Sequence, residues 1–236
     1  IFDVEIKIGS ADKQLVLGTD YIVKGNVGTN AKGYKLTITG QGNFKDVISL
    51  DWAISPKDLR SDMVTLENAQ GLEYNGAPHT ITVKVTDGER NVVLEKDTDY
   101  TLCDNKPEDK IGTVGTNADT YTVTITPTGN YTGDPIEKTW KISPKYLTDA
   151  MVTLKDAENL TYDGEQHAIT VVVTDEVSIN GNPTNIITAS DYTVTGTLSE
   201  MDAGTYTVTI TPKGNYTGDP IEKTWTIAQR EISVAI

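Results

Sequence analysis

The side chains able to do chemistry are few in this sequence, and their spacing decides what they can do. The two histidines, His79 and His167, lie 88 residues apart. A zinc site needs several His, Cys or carboxylate ligands at short, fixed spacing. Neither imidazole has them, so each is expected at a strand edge, bonded to backbone. No Gly-x-Ser-x-Gly elbow is present to raise a serine nucleophile. The acidic stretches Asp87-Gly88-Glu89, Asp104 to Asp109 and Asp163-Gly164-Glu165 lack the alternating ligand pattern of a calcium loop and read as solvated turns. Cys103, the one cysteine, aligns with Lys24 and Thr195 and reads as incidental and half-exposed. Lys138 and Lys223 alternate with a tryptophan two residues on. Either could face the core and meet a carboxylate or carboxamide, the chemistry of an isopeptide cross-link. Tyr131 and Tyr216 sit in glycine-rich loops, where a solvent-facing ring could stack on a sugar. They are the candidate ligand-binding residues; no catalytic, cofactor-binding or metal residue is predicted.

Composition narrows the partners. The chain has 236 residues with 20 Lys and Arg against 34 Asp and Glu, a net charge of −14. Phosphate backbones require a basic footprint, so nucleic acid is excluded as an expected partner. A basic amphipathic membrane anchor is disfavoured for the same reason. No apolar run reaches the ~18 residues of a membrane span. Charged residues at 23 % and apolar residues at 37 % are compatible with a folded chain. One cysteine can form no internal disulfide. The opening Ile1-Phe2-Asp3-Val4 has no features of a signal peptide, so the chain is expected to be a fragment or mature piece.

An internal repeat dominates the rest. Thr120 to Ile142 and Thr205 to Ile227 differ only at Thr128/Lys213 and Lys141/Thr226. Met63 to Leu66 returns as Met151 to Leu154. Tyr74 and His79 return as Tyr162 and His167. A diverged copy precedes them. Trp52 matches Trp140 and Trp225, Tyr34 matches Tyr121 and Tyr206, and Asp20-Tyr21 matches Asp99-Tyr100 and Asp191-Tyr192. This first copy has no counterpart of Met63 to His79. Arg230 to Val234 resembles the opening of a fourth. A unit of ~85–88 residues exceeds ankyrin and leucine-rich repeats and is long enough for its own core. The expected organisation is a truncated or diverged module at 1–55, modules at 56–143 and 144–228, and a further start or tail at 229–236.

The elements that would position these residues are strands. In Tyr121 to Thr126 large apolar residues alternate with threonine, placing Tyr121, Val123 and Ile125 on one face. Pro127 ends the run and a Gly-rich connection leads to Ile136 to Ile142, with Trp140 and Ile142 inward. Phe2, Ile81 to Val85, Ile169 to Val173, Asp99 to Leu102 and Asp191 to Val194 fall in further strands. Val64 to Leu66 and Val152 to Leu154 read as opening strands, with a helix as the competing assignment because Leu59, Met63 and Leu66 also fit helical spacing. About seven short strands per unit indicate an all-β fold of tandem Ig-like antiparallel β-sandwich modules.

Taken together, Tyr162-Asp163-Gly164-Glu165-Gln166-His167, Ala203-Gly204-Thr205-Tyr206, Gly214-Asn215-Tyr216-Thr217-Gly218 and Trp225-Thr226-Ile227 resemble the MBG-type Ig-like repeats of bacterial cell-surface proteins and adhesins. The likeness is greatest to copies in Gram-positive gut bacteria. Tyr74-Asn75-Gly76-Ala77-Pro78-His79 and Ala118-Asp119-Thr120-Tyr121 carry the same marks, and the first copy keeps Gly42-Asn43-Phe44. The resemblance implies an extracellular, bacterial cell-surface or secreted setting and no shared catalytic site. The expected function is a non-catalytic stalk or spacer, monomeric and without cofactor. The alternative is an adhesin or carbohydrate-binding module reaching host or dietary glycans or matrix proteins through loop tyrosines.

Overall fold

A computed structural model describes residues 14–179 and 182–232, with the backbone alone described at 177–179 and 182–184. The first thirteen residues, with the strand expected around Phe2, and the last part of the expected fourth opening, Ser233 and Val234, lie outside the described residues. Among the described residues every regular element is a strand apart from three single 3-10 turns. By compactness the chain forms two units. One comprises 1–65, 84–103 and 124–137; the other comprises 66–83, 104–123 and 138–236.

In the first unit, Tyr21–Lys24, Lys32–Gly40 and Val47–Ile54 form an antiparallel sheet in that order. The register sets Tyr34 opposite Trp52 and Leu36 opposite Leu50. Period-two alternation turns Leu36 and Ile38 to one face, where they pack with Tyr21 and the partly buried Leu15, Val23 and Trp52. Val47, Ile48 and Leu50 stay more than half exposed on the outer strand. Tyr100–Leu102 pairs antiparallel with the end of Asp119–Pro127, and Tyr131–Thr132 pairs parallel with Lys57–Asp58.

In the second unit a four-stranded sheet runs Leu160–Thr161, Ile221–Ala228, Gly204–Pro212, Tyr192–Gly196. Its first pairing is parallel and the other two are antiparallel. Val152–Lys155 pairs antiparallel with Thr170–Val173. Val208, Ile210, Trp225 and Ile227 of the larger sheet, and Val152 and Val173 of the smaller, are buried. Two mainly antiparallel sheets with apolar inner faces fit the β-sandwich expectation. Threonines take the wet face; Thr205 Oγ1 and Thr226 Oγ1 meet at 3.1 Å across the strands.

The strand assignment holds at both ambiguous openings. A single 3-10 turn at Ser61–Met63 precedes Val64–Glu67, and one at Asp149–Met151 precedes Val152–Lys155. Leu59 and Met63, which fitted helical spacing, are buried there as core.

The Trp–Tyr pair recurs with one variation. Tyr34 stacks on Trp52 at 4.5 Å between centroids and 18° between planes, and Tyr121 on Trp140 at 4.6 Å and 22°. Tyr206 and Trp225 stand at 5.0 Å and 38°. The cause is six residues upstream of each tyrosine. Gly28 and Gly115 hold that position in the first two copies, where a Cβ would collide with the tyrosine ring. Glu200 holds it in the third, and its Cβ denies Tyr206 the same close approach. Each indole Nε1–H donates to a backbone carbonyl: Gly25 at 2.9 Å, Gly112 at 2.9 Å and Thr197 at 2.8 Å.

Candidate functional site

Two features recur with matched geometry, and both centre on the Gly-Asn-Tyr turns. The first is a buried lysine–aspartate–tyrosine cluster. In the first unit, Asp87 ends Thr82–Asp87 and is 1 % exposed. Lys57 Nζ donates to its Oδ1 at 2.7 Å and Tyr131 Oη–H donates to its Oδ2 at 3.1 Å. The Arg90 N–H reaches Oδ1 at 3.3 Å, and Lys57 also meets Glu89 at 2.9 Å. The second unit repeats the arrangement. Lys145 Nζ lies 2.7 Å from Asp175 Oδ2, and Tyr216 Oη–H donates to the same oxygen at 2.7 Å. The Asp175 N–H is held by Asn185 Oδ1 at 2.8 Å.

A carboxylate this buried survives only when paired and hydrogen-bonded. Burial pushes the Asp87 carboxyl up, but the Lys57 ammonium, the Arg90 N–H and the Tyr131 hydroxyl outweigh it and hold the group below the usual Asp range. The hydrogen bond to Asp87, reinforced by Glu89, raises the Lys57 ammonium above its usual value. Burial first, then Asp87, raises the Tyr131 phenol; burial first, then Asp175, raises that of Tyr216. The Lys57 and Asp87 shifts favour the charged pair, and the raised phenols keep Tyr131 and Tyr216 as neutral hydroxyl donors. In both units the cluster staples strands far apart in sequence through hydrogen bonds and an ion pair.

This geometry revises several sequence expectations. Tyr131 and Tyr216 are 4 % and 2 % exposed, so neither presents a ring face to a sugar. The loops are at the surface, but the Tyr hydroxyls are drawn inward by the aspartates. Asp87, expected in a solvated turn, is buried for the same reason. Lys223 points to the exposed Asp149 at 2.8 Å, a surface pair. The buried lysine–carboxylate pairs use Lys57 and Lys145, which the sequence reading passed over. A signal existed: Lys57/Lys145, Asp87/Asp175 and Tyr131/Tyr216 all recur with the repeat, whereas the first copy has Phe44, without a hydroxyl, at the tyrosine position.

His79 and Cys103 fall where expected; His167, expected to bond backbone, has no hydrogen-bond partner for its Nε2 among the described residues. His79 Nε2 lies 2.9 Å from the Glu73 carbonyl oxygen. His167 Nε2 lies 3.2 Å from Asp163 Oδ1 but out of line for a hydrogen bond. Cys103 is half-buried, its Sγ accepting the Thr124 N–H at 3.3 Å.

The second recurring feature is an asparagine clasp between successive copies. Asn130 Oδ1 accepts the Ala31 N–H at 2.7 Å, and its Nδ2 points to Asn30 Oδ1 at 3.4 Å. Asn215 Oδ1 accepts the Ala118 N–H at 2.8 Å, and its Nδ2 points to Asn117 Oδ1 at 3.4 Å. The carbonyls of Asn130 and Asn215 accept the N–H groups of Lys57 and Lys145, both at 2.9 Å. The receiving loops are pinned by tyrosine: Tyr34 Oη–H donates to Asn30 O at 2.8 Å and Tyr121 Oη–H to Asn117 O at 2.9 Å. In the second unit the clasp is flanked by packing. Tyr74 meets Tyr216 edge-on at 5.7 Å, and its hydroxyl donates to Ile186 O at 3.2 Å.

Residues 149–229 match the MBG domain family. No curated protein matches the chain. The matched segment contains Asp175, Asn215 and Tyr216, and the repeat carries their counterparts Asp87, Asn130 and Tyr131 to residues before it.

Proposed function

We propose that this chain is a non-catalytic tandem Ig-like spacer segment of a bacterial cell-surface protein. The observation that carries the reading is the clasp. The same asparagine, in the same turn, engages the same backbone N–H of the preceding copy at Ala31 and at Ala118, at 2.7 and 2.8 Å. A contact that recurs at the repeat's period serves spacing, because it fixes one copy to the next whatever either carries. The MBG match over 149–229 supports the β-rich repeat part of this reading. The buried Lys–Asp–Tyr clusters support it too, since they spend their polar groups on internal pairing.

The test is binding of the folded protein to a broad glycan and extracellular-matrix array. The spacer reading expects silence. A saturable hit, weakened by substitution of the exposed Tyr146 or of surface loop residues, would overturn it in favour of an adhesin or carbohydrate-binding module.

A further inference from the structure

The clasp has a receiving side, and the third copy carries that side uncovered. In the second copy the receiving face comprises Tyr74, Gly76, Asn117 and Ala118. Tyr74 is 7 % exposed beneath Tyr216 and Ile186, and a Cβ on Gly76 would press into the Ile186 side chain. The third copy repeats these positions as Tyr162, Gly164, Asp202 and Ala203. Tyr162 is 40 % exposed and Gly164 has open space where Gly76 meets Ile186. Ala203 is exposed where Ala118 is half-buried. Met201 and Leu198 beside it are large apolar side chains left in solvent.

The uncovered face is already shaped. Tyr206 Oη–H donates to Asp202 O at 2.7 Å, as Tyr34 and Tyr121 do in their loops. Asp163 Oδ1 caps the Glu165 N–H at 2.9 Å, as Asn75 Oδ1 caps that of Ala77 at 2.9 Å. Gly164 and Gly76 share the left-handed conformation that such a turn requires, with φ of 87° and 76°. Preformed loops spare most of the ordering cost of association.

We infer that the face formed by Tyr162, Gly164, Asp202 and Ala203 is a docking site for another Ig-like module of the same kind, entered by its Gly-Asn-aromatic turn. The incoming asparagine Oδ1 accepts the Ala203 N–H, as Asn215 Oδ1 accepts that of Ala118. Its Nδ2 donates to Asp202, which stands where Asn30 and Asn117 stand and, as a carboxylate, accepts more strongly. An aliphatic residue at the position of Ile186 covers Gly164 and Tyr162. The occupant is fixed by precedent inside this molecule, where such a turn covers the equivalent face. The inference rests on the spacer reading and adds a defined geometry to it.

The test uses amide hydrogen exchange on two chains. One is the chain as it stands; the other is residues 1–228 followed by a second copy of residues 144–228. The Ala118 amide is expected to be protected in both. The Ala203 amide is expected to exchange at a loop rate in the first and at least about tenfold more slowly in the second. Replacing the added copy's asparagine, the counterpart of Asn215, with alanine returns Ala203 to the faster rate. Unchanged exchange at Ala203 on extension, with the added tryptophan's indole N–H protected, overturns the inference. A measurement on the unextended chain keeps it falsifiable should the added copy not fold. Asn215→Ala must speed Ala118 exchange by about tenfold, and an unmoved Ala118 amide means the clasp does not hold the joint. Unchanged Ala203 exchange on extension leaves the spacer reading intact, whereas an unmoved Ala118 amide removes the clasp on which that reading stands; the array result tests the reading separately.

Discussion

Replacing Trp140 and Trp52 in turn with alanine tests whether repeat position or local burial sets a residue's worth. Both residues hold the same place in the repeat, stack on a tyrosine at 4.5–4.6 Å and donate their indole N–H to a carbonyl at 2.9 Å. They differ in cover: Trp140 is 3 % exposed, whereas Trp52 is only half-buried, on a sheet whose outer strand leaves Val47, Ile48 and Leu50 in solvent. A tryptophan buries roughly 150–250 Å², and removing a fully buried one costs about 3–5 kcal/mol once the cavity is included. Trp140→Ala is therefore expected to lower the local stability of Asp119–Pro127 by that amount. Trp52→Ala, with about half the area to lose and a site water already reaches, should cost Lys32–Gly40 about 1–2 kcal/mol. Trp140→Phe keeps most of the ring but orphans the Gly112 carbonyl, for about 1–2 kcal/mol. Native-state hydrogen exchange on those strands reads each cost separately. Equal losses for Trp140→Ala and Trp52→Ala would refute the argument from burial.

Three further expectations follow from the polar network and the close contacts. Tyr216→Phe removes the 2.7 Å donor to Asp175 and should destabilise the second unit by about 1.5–3 kcal/mol in chemical denaturation, as for a hydrogen bond to a charged group; an unchanged midpoint would show that water replaces the hydroxyl. The Lys57–Asp87 pair gives a signed pH dependence. The depressed Asp87 contributes stability above the usual 3.8 that is lost as pH falls through its lower folded value. The raised Lys57 contributes stability below 10.5 that is lost as pH rises through its higher folded value. Unfolding midpoints against pH should lose the acid edge of this plateau contribution in Asp87→Asn and keep part of the alkaline edge, where Glu89 still pairs with Lys57, and superimposable wild-type and variant profiles would contradict it. Gly115→Ala drives a methyl into the Tyr121 ring and should cost roughly 1–3 kcal/mol by overpacking, read as a lowered melting temperature.

Much of the scaffold was legible in the chain because its causes are local. Tyr121, Val123 and Ile125 alternate with threonine, and period two sends them to one face; they are buried as that predicts. The repeat alone marks each tryptophan as scaffold, because every copy carries one at the same position. Val64 and Val152 read as strands through their β-branching, and the helical spacing around Met63 proved to be core contacts made from one 3-10 turn.

What the sequence could not decide were pairings between residues that only folding brings together. Tyr131 in a glycine-rich loop reads as exposed. Its hydroxyl turns inward because Asp87, 44 positions earlier, arrives there ionised and needs donors. Lys57 follows a proline and looks like a solvated linker residue until the parallel pairing of Lys57–Asp58 with Tyr131–Thr132 sets it over that carboxylate. Asn130 and Asn215 read as turn residues, and their Gly-Asn turns are indeed local. That each asparagine also accepts an amide nearly a hundred residues away depends on where the preceding copy's loop is held. Periodicity fixes which face a side chain takes; a hydrogen-bond partner depends on distance in space, which the tertiary structure alone supplies.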